Sequence, residues 1–277
     1  MTRRRGFFWL LPLVALAIGA LALPGLAIAE ALNVPGSGNP EHVLGELARA
    51  FNAGQAQHHV TIPPTSGAAG AVRDVSSGIA GLGRIGRPLK VDERALGLVY
   101  VPLARDAIAI AAGAGVTARG IALAQVKAVF AGEITDWREL GGKPGPIRVI
   151  GKEPTDSTRQ QFEKAHGTLI FGDAVKLVHL DNQLLELLDR YPTSFAIINR
   201  SALGACRTKV VTVALDGVES SPENIETGRY PLAMEWGVIH RTEGLTAAGR
   251  AFIDFIRSAE GKKILHDHGS HPLGVAR

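Results

Sequence analysis

Lys152-Glu153-Pro154-Thr155-Asp156-Ser157-Thr158-Arg159 sets an ammonium, a guanidinium, two carboxylates and several hydroxyls at a strand-to-helix junction. Two further segments have a related composition: Gly36-Ser37-Gly38-Asn39, and Ser66-Gly67-Ala68-Ala69-Gly70. At the start of a helix, orphan amides and the helix dipole favour negative charge, so such tips facing one cleft would hold an anion. Gly36, Gly38, Gly67 and Gly70 would let the backbone approach it closely. A plainer reading of the same residues is capping alone, with Ser157 and Gln160 as a capping box and Ser66 as an ordinary N-cap. Asp156 narrows the chemistry further. A carboxylate repels a fully ionised anion but accepts a hydrogen bond from one that keeps a proton. Lys152, Arg84 or Arg87 would balance the charge.

Other motifs carry less. Gly81-Leu82-Gly83-Arg84-Ile85-Gly86 fits G-x-G-x-x-G, but it follows a helix and is itself strand-like, whereas a dinucleotide loop leaves a strand and opens a helix. His266, His268 and His271, like His58-His59, read as solvated or locally capping residues rather than metal ligands. There is no G-x-S-x-G elbow, no H-E-x-x-H and no P-loop, so no enzyme, cofactor or metal site is expected. Cys206 is the only cysteine, which excludes an internal disulfide and suggests a buried, inert thiol.

The elements that must position these residues alternate between strand and helix, an α/β pattern. Asn39 is placed as the cap of a helix with Pro40 at its first position, and Val43, Leu44, Leu47 and Phe51 form its apolar face. Strands are expected around Leu32–Val34, Val60–Ile62 and Ile79–Ile85. A long one runs from Leu98 through Ile110, apolar enough for a buried crossing. The spacing of Leu123, Val126, Val129 and Phe130 predicts a helix ended by Gly132, then a capped turn at Ile134–Gly142 and a strand at Ile147–Ile150. Phe195–Ile198 and Trp236–Ile239 supply later strands, and Ala251–Leu265 reads as one final helix.

Arg3, Arg4 and Arg5, the apolar run Phe7–Leu23 and Ala27-Ile28-Ala29 form an export signal with cleavage near Ala29. No retained anchor is then expected, and the protein would work in the periplasm or otherwise outside the cytoplasm. The paired arginines also resemble a twin-arginine leader, although the ordinary secretory route fits as well. The chain's formal charge is +4, and the leader holds three arginines and no acid, so the remainder is nearly neutral. With few aromatics and no basic block outside the leader, nucleic acid is not an expected partner.

The order of these segments resembles the phosphate-binding components of ABC importers. Gly36-Ser37-Gly38 is similar to the family's first anion loop, and Lys152 to Thr158 to the loop that in the family ends in Ser-Gly-Thr. Arg87-Pro88-Leu89, the stretch Pro222–Leu232, the stretch Phe252–Gly261 and Pro272-Leu273 follow in the family's order. Here Asp156 and Ser157 stand where Ser and Gly are usual, Thr158 is kept, and Ala68 or Ala69 replaces a Ser in the second loop. The family's proton-accepting carboxylate would align near Gly81, and Asp156 would replace it, selecting hydrogen phosphate over sulfate.

The resemblance implies a two-lobed periplasmic-binding-protein-like fold. Each lobe would be a mostly parallel sheet flanked by helices, with hinge strands between them: residues 30–103 and 210–277 in one lobe, 104–209 in the other. It implies a small oxyanion, phosphate foremost, bound by Ser37, Gly38, Asn39, Ser66, Gly67, Lys152, Thr155, Asp156, Ser157, Thr158 and Arg159. Closure would present it, from a monomer, to an inner-membrane ABC permease. The alternative is an envelope accessory or sensor protein that keeps the fold without phosphate.

Overall fold

The computed structural model describes residues 30–206 and 209–274. The export signal and its cleavage near Ala29 lie outside the described residues. Among the described residues no helix is long and apolar enough to cross a membrane.

The first lobe opens with strand β1 (Glu30–Asn33), helix α1 (Glu41–Gly54) and strand β2 (His58–Thr61), with β1 and β2 paired in parallel. Helix α2 (Gly67–Ser76), strand β3 (Gly83–Ile85) and the single turn α3 (Val91–Arg94) follow. Strand β4 (Leu98–Ala112) then leaves for the second lobe. There the chain forms β5 (Gly120–Ile121), α4 (Leu123–Ala131), a 3-10 turn (Trp137–Leu140), β6 (Arg148–Lys152), α5 (Ser157–His166), β7 (Lys176–Val178), α6 (Asp181–Arg190) and β8 (Ser194–Asn199). Strand β9 (Val211–Leu215) runs back along β4, and the short helix α7 (Pro222–Glu226) precedes β10 (Ala233–Arg241), α8 (Ala247–Arg257), α9 (Ala259–Asp267) and β11 (Ser270–Pro272).

One sheet in the order β3-β10-β4-β8-β6-β7 runs through both lobes. It is continuous because β4 serves two sets of neighbours. Its first part pairs antiparallel with β10, from Leu98↔Arg241 to Ala107↔Ala233, and its last part, Ile108–Ala112, pairs antiparallel with β8 and β9. Parallel pairing is kept toward the periphery, in β6 with β7 and β8, in β5 with β9, and in β1 with β2. The apolar run legible in β4 is therefore covered on both faces over its second half, where Ile108 to Ala112 are all buried.

Each lobe has its own core. In the first, Leu44, Leu47 and Phe51 of α1 pack with Trp236 and Phe252, while Val75 of α2 packs with Ile85 and Ile239. In the second, Phe130, Trp137, Phe162 and Phe195 form one cluster and Leu184, Leu188 and Ile198 another. The predicted stop at Gly132 is present as a left-handed cap, φ 78°. Asp136 caps the 3-10 turn through Arg138 N at 2.8 Å.

Two expectations are corrected. The final helix is broken into α8 and α9 at Ser258, whose backbone is extended and whose hydroxyl accepts from Gly261 N at 3.2 Å. A side chain on Gly261 would meet Phe255 O at 2.3 Å, so the polypeptide turns here around a residue without one. Asn39 is not a helix cap. Helix α1 begins at Glu41 with Pro40 before it and no side-chain cap, because the Asn39 side chain is turned inward to Met234 S, 3.7 Å away.

Candidate functional site

Strand β6 delivers Lys152 to the end of the second-lobe sheet with its side chain almost wholly buried. The ammonium donates to Asp181 Oδ1 at 2.7 Å and to His179 O at 3.1 Å, and lies 3.5 Å from Asp156 Oδ2. Burial opposes its charge, but Asp181 and Asp156 outweigh that and hold its pKa above the ordinary value. Asp156 is the N-cap of α5 and accepts from Arg159 N at 3.0 Å. Burial pushes its carboxyl above the usual range; Lys152 pulls it down and Asp181 pushes it up again. Ser157 and Thr158 occupy the first turn of α5, where amides have no carbonyl partner within the helix.

The facing wall comes from the first lobe. Gly38 precedes α1 and Gly67 opens α2, where Gly67 N donates to Thr65 Oγ1 at 3.1 Å. The Ser66 hydroxyl makes no cap bond. Arg84, which has no exposed surface, fixes this wall from behind. Its guanidinium donates to Ser37 O, Val34 O, Pro63 O and Glu41 Oε2 at 2.7, 2.5, 2.8 and 2.8 Å.

A cavity of about 170 Å³ lies between the walls, lined by Gly38, Thr65 and Gly67 on one side and by Lys152, Glu153, Thr155, Asp156, Ser157, His179 and Asp181 on the other. A second cavity of about 190 Å³ adjoins it and shares Gly38, Thr65 and Asp181. Six of the expected residues thus line the first cavity: Gly38, Gly67, Lys152, Thr155, Asp156 and Ser157. The others sit elsewhere. Ser37 is buried, its hydroxyl accepting from Gly86 N at 3.1 Å, and Ser66 is exposed at the mouth of α2. Arg159 folds back, donating to Lys152 O at 2.9 Å and Glu163 at 2.9 Å and stacking on Phe171 at 4.1 Å.

Thr158 and Asn39 belong to a buried polar chain that does not line the cavity. The Thr158 hydroxyl donates to Asn199 Oδ1 at 2.5 Å, and the Asn199 amide donates to Met234 S at 3.0 Å, the sulfur that Asn39 also approaches. This chain connects the first turn of α5 to the approach of α1.

Neither arginine offered as a counter-charge is free. Arg84 is spent on the four acceptors named above, and Arg87 makes a two-pronged pair with Glu93 at 2.7 Å. Gly81, near which the family's carboxylate would align, lines neither cavity, and a β-carbon there would meet Thr246 and Leu32. The capping box of Ser157 and Gln160 does not form, since Asp156 caps the helix and Gln160 donates to Pro154 O at 3.1 Å. Gly83–Ile85 is a strand paired with β10, as its pattern indicated. His266 pairs with Glu223 and His268 packs edge-on to His42; among the described residues no group of three metal-ligating side chains is arranged around one point. Cys206 is half-buried, its thiol pushed up to about 12 by burial and Asp189.

Sequence reasoning missed four lining residues: Thr65, Glu153, His179 and Asp181. The signal for Asp181 was an acid at the first position of a helix following a strand, which resembles an ordinary favourable dipole contact.

The model of the PBP superfamily domain matches residues 25–260. The chain belongs to this superfamily. Among relatives, this superfamily member is 29% identical over 188 residues to the phosphate-binding protein PstS of Bacillus subtilis (strain 168), covering 66% of this chain and 60% of that protein. It is 26% identical over 130 residues to PstS 2 of Streptococcus pneumoniae (strain ATCC BAA-334 / TIGR4), covering 45% and 44%. The chain thus spans less than two thirds of the length of these curated relatives. A structure from Clostridium perfringens, described as a phosphate ABC transporter substrate-binding protein with bound phosphate, superposes with a TM-score of 0.77 at 26% identity, covering 88% of this chain and 100% of that one. An ABC-type phosphate transport receptor from Vibrio cholerae gives 0.63 at 20% identity, covering 87% and 99%, which speaks for the shared fold.

Proposed function

We propose that this protein is an extracytoplasmic solute-binding protein that captures phosphate in a protonated form and delivers it to an inner-membrane ABC permease. The observation that carries the reading is the cleft itself. Two helix tips from opposite lobes, α2 and α5, meet at one cavity that also contains a buried ammonium, and relatives of the same fold are phosphate-binding proteins. Ser37, Gly38, Asn39, Ser66 and Gly67 would supply or shape the first-lobe contacts. Lys152, Thr155, Asp156, Ser157, Thr158 and Arg159 would supply or support those of the second. Lys152 neutralises charge, the α5 amides donate to ligand oxygens, and Asp156 accepts the proton that hydrogen phosphate carries and sulfate lacks.

Residues 30–103 with 210–277 would move as one lobe against 104–209, bending about the crossing strands β4 and β9. Nothing in the binding step requires bond making, so no catalysis or cofactor is invoked. The leader would be removed near Ala29 and the released protein would act as a monomer outside the cytoplasm, without a nucleic-acid partner.

Calorimetry on the exported protein with phosphate and with sulfate tests the reading. Phosphate is expected to bind and sulfate to bind at least tenfold more weakly, and phosphate at a hundred times its Kd adds about 2.7 kcal/mol of stability. Equal or absent binding of the two anions overturns it.

A further inference from the structure

Positive charge is scarce in the cleft. Its lining offers one lysine against three carboxylates, Glu153, Asp156 and Asp181. Glu153 lies 3.4 Å from His179 and Asp156 is engaged in capping α5, but Asp181 is committed to Lys152 itself. Its Oδ1 takes the ammonium at 2.7 Å, while its Oδ2 faces the opposite lobe. A β-carbon built on Gly38 would stand 3.1 Å from that oxygen and 3.6 Å from Thr65 Oγ1. One carboxylate group from the second lobe therefore reaches across to the approach of α1, and it borders both cavities. The neighbouring guanidiniums cannot relieve it, since Arg84 is held by Glu41 and Arg159 by Glu163 and Phe171.

We propose that Asp181 is a specificity-determining residue, a resident competitor whose carboxylate holds Lys152 and stands against Gly38 where an incoming anion must place an oxygen. The proposal rests on reading the cleft as an oxyanion site. An arriving anion has to take Lys152 from Asp181 or share it, and a ligand that brings a proton does so at lower electrostatic cost than one fully ionised. Asp181 thereby raises the threshold for every anion and raises it most for dianions, sulfate and hydrogen phosphate alike, so phosphate is spared to the extent that it enters as the dihydrogen monoanion, a form sulfate has no counterpart for at neutral pH. This differs from the part assigned to Asp156, which receives a ligand proton.

Asp181→Asn tests the assignment, because the amide oxygen still accepts from Lys152 while the charge is gone; Asp181→Ser serves as a second variant, and circular dichroism with thermal melting verifies that each is folded. Calorimetry is run with inorganic phosphate and with sulfate. The expected result is phosphate binding tightened at least about tenfold and a larger gain for sulfate, with both lost in the double variant that adds Lys152→Gln. Binding that appears only in the Asp181 variants also supports the proposal. If wild type binds phosphate and both variants bind it equally or more weakly, Asp181 merely orients Lys152 and this proposal falls while the oxyanion reading stands. If neither wild type nor variants bind either anion, the oxyanion reading falls and takes the proposal with it.

Discussion

Arg84 Nη2 lies 2.8 Å from Glu41 Oε2, an ion pair in which the arginine has no exposed surface and the glutamate side chain is 38% exposed. The other guanidinium hydrogens go to the carbonyls of Val34, Ser37 and Pro63, at the ends of β1 and β2. The pair is a fastener for the first-lobe wall rather than a ligand contact. Replacing Arg84 by Met should leave those carbonyls unpaired in the interior and cost roughly 3–5 kcal/mol of stability, measured by urea unfolding. A loss below about 1 kcal/mol would show that the fastener carries little.

Asp106, in the middle of β4, is fully buried and accepts from Ser201 N at 3.3 Å and from the Ser201 hydroxyl. Burial pushes its carboxyl up to about 7, with the Ser201 bonds and Arg200 pulling the other way. The folded state then holds a proton that the unfolded state has already released. The associated stability is complete below about pH 4 and is lost as pH rises through 7. Urea unfolding at pH 5 and pH 8 should show the wild type losing about 2–3 kcal/mol more than Asp106→Asn. Parallel pH profiles for the two proteins would rule this out.

Asp156 caps α5, and Asn is an equally good cap, so Asp156→Asn should fold normally while losing the proton acceptor. Its ratio of phosphate to sulfate affinity is expected to fall at least about tenfold in titration calorimetry. Burial already raises the Asp156 carboxyl, and an anion beside it raises it further. Protonation of Asp156 as pH falls therefore removes the acceptor, so the wild type's ratio of phosphate to sulfate affinity should fall toward that of the variant in acid, while the variant's own ratio changes less.

Gly36 has φ 141°, and a β-carbon there would lie 1.9 Å from Arg84 O. Ala at this position must displace the isolated parallel bridge that Gly36 makes with Arg84 of β3. Gly36→Ala should lower stability by more than about 2 kcal/mol and weaken anion binding together with it, checked by thermal melting and titration.

What could be read in advance depended on how local the determinants were. Helix α4, its glycine stop, the capped turn and β6 were all legible because spacing, a left-handed glycine and an Asp cap act within a few residues. The crossing made by β4 was legible from the apolar stretches Leu98–Leu103 and Ala107–Ile110 on either side of Arg105 and Asp106, but its two sets of pairing partners were not. The division at Ser258 was hidden because apolar residues on either side keep helical spacing, and only the contact at Gly261 betrays the bend. In the cleft, Lys152 and Asp156 stood out together in one segment. Asp181 reaches Lys152 only through the parallel pairing of β6 with β7, and Arg84 meets its acceptors through the parallel bridge between Gly36 and Arg84. No sequence period encodes such contacts.

Fifteen residues of β4 supply pairing partners to β10 at one end and to β8 and β9 at the other. Neither half of the molecule owns a complete sheet, so severing the backbone between Leu98 and Ala112 would strip a neighbour from both at once. The two halves are thus expected to melt in a single transition and to resist being produced as separate fragments, whichever solute they enclose.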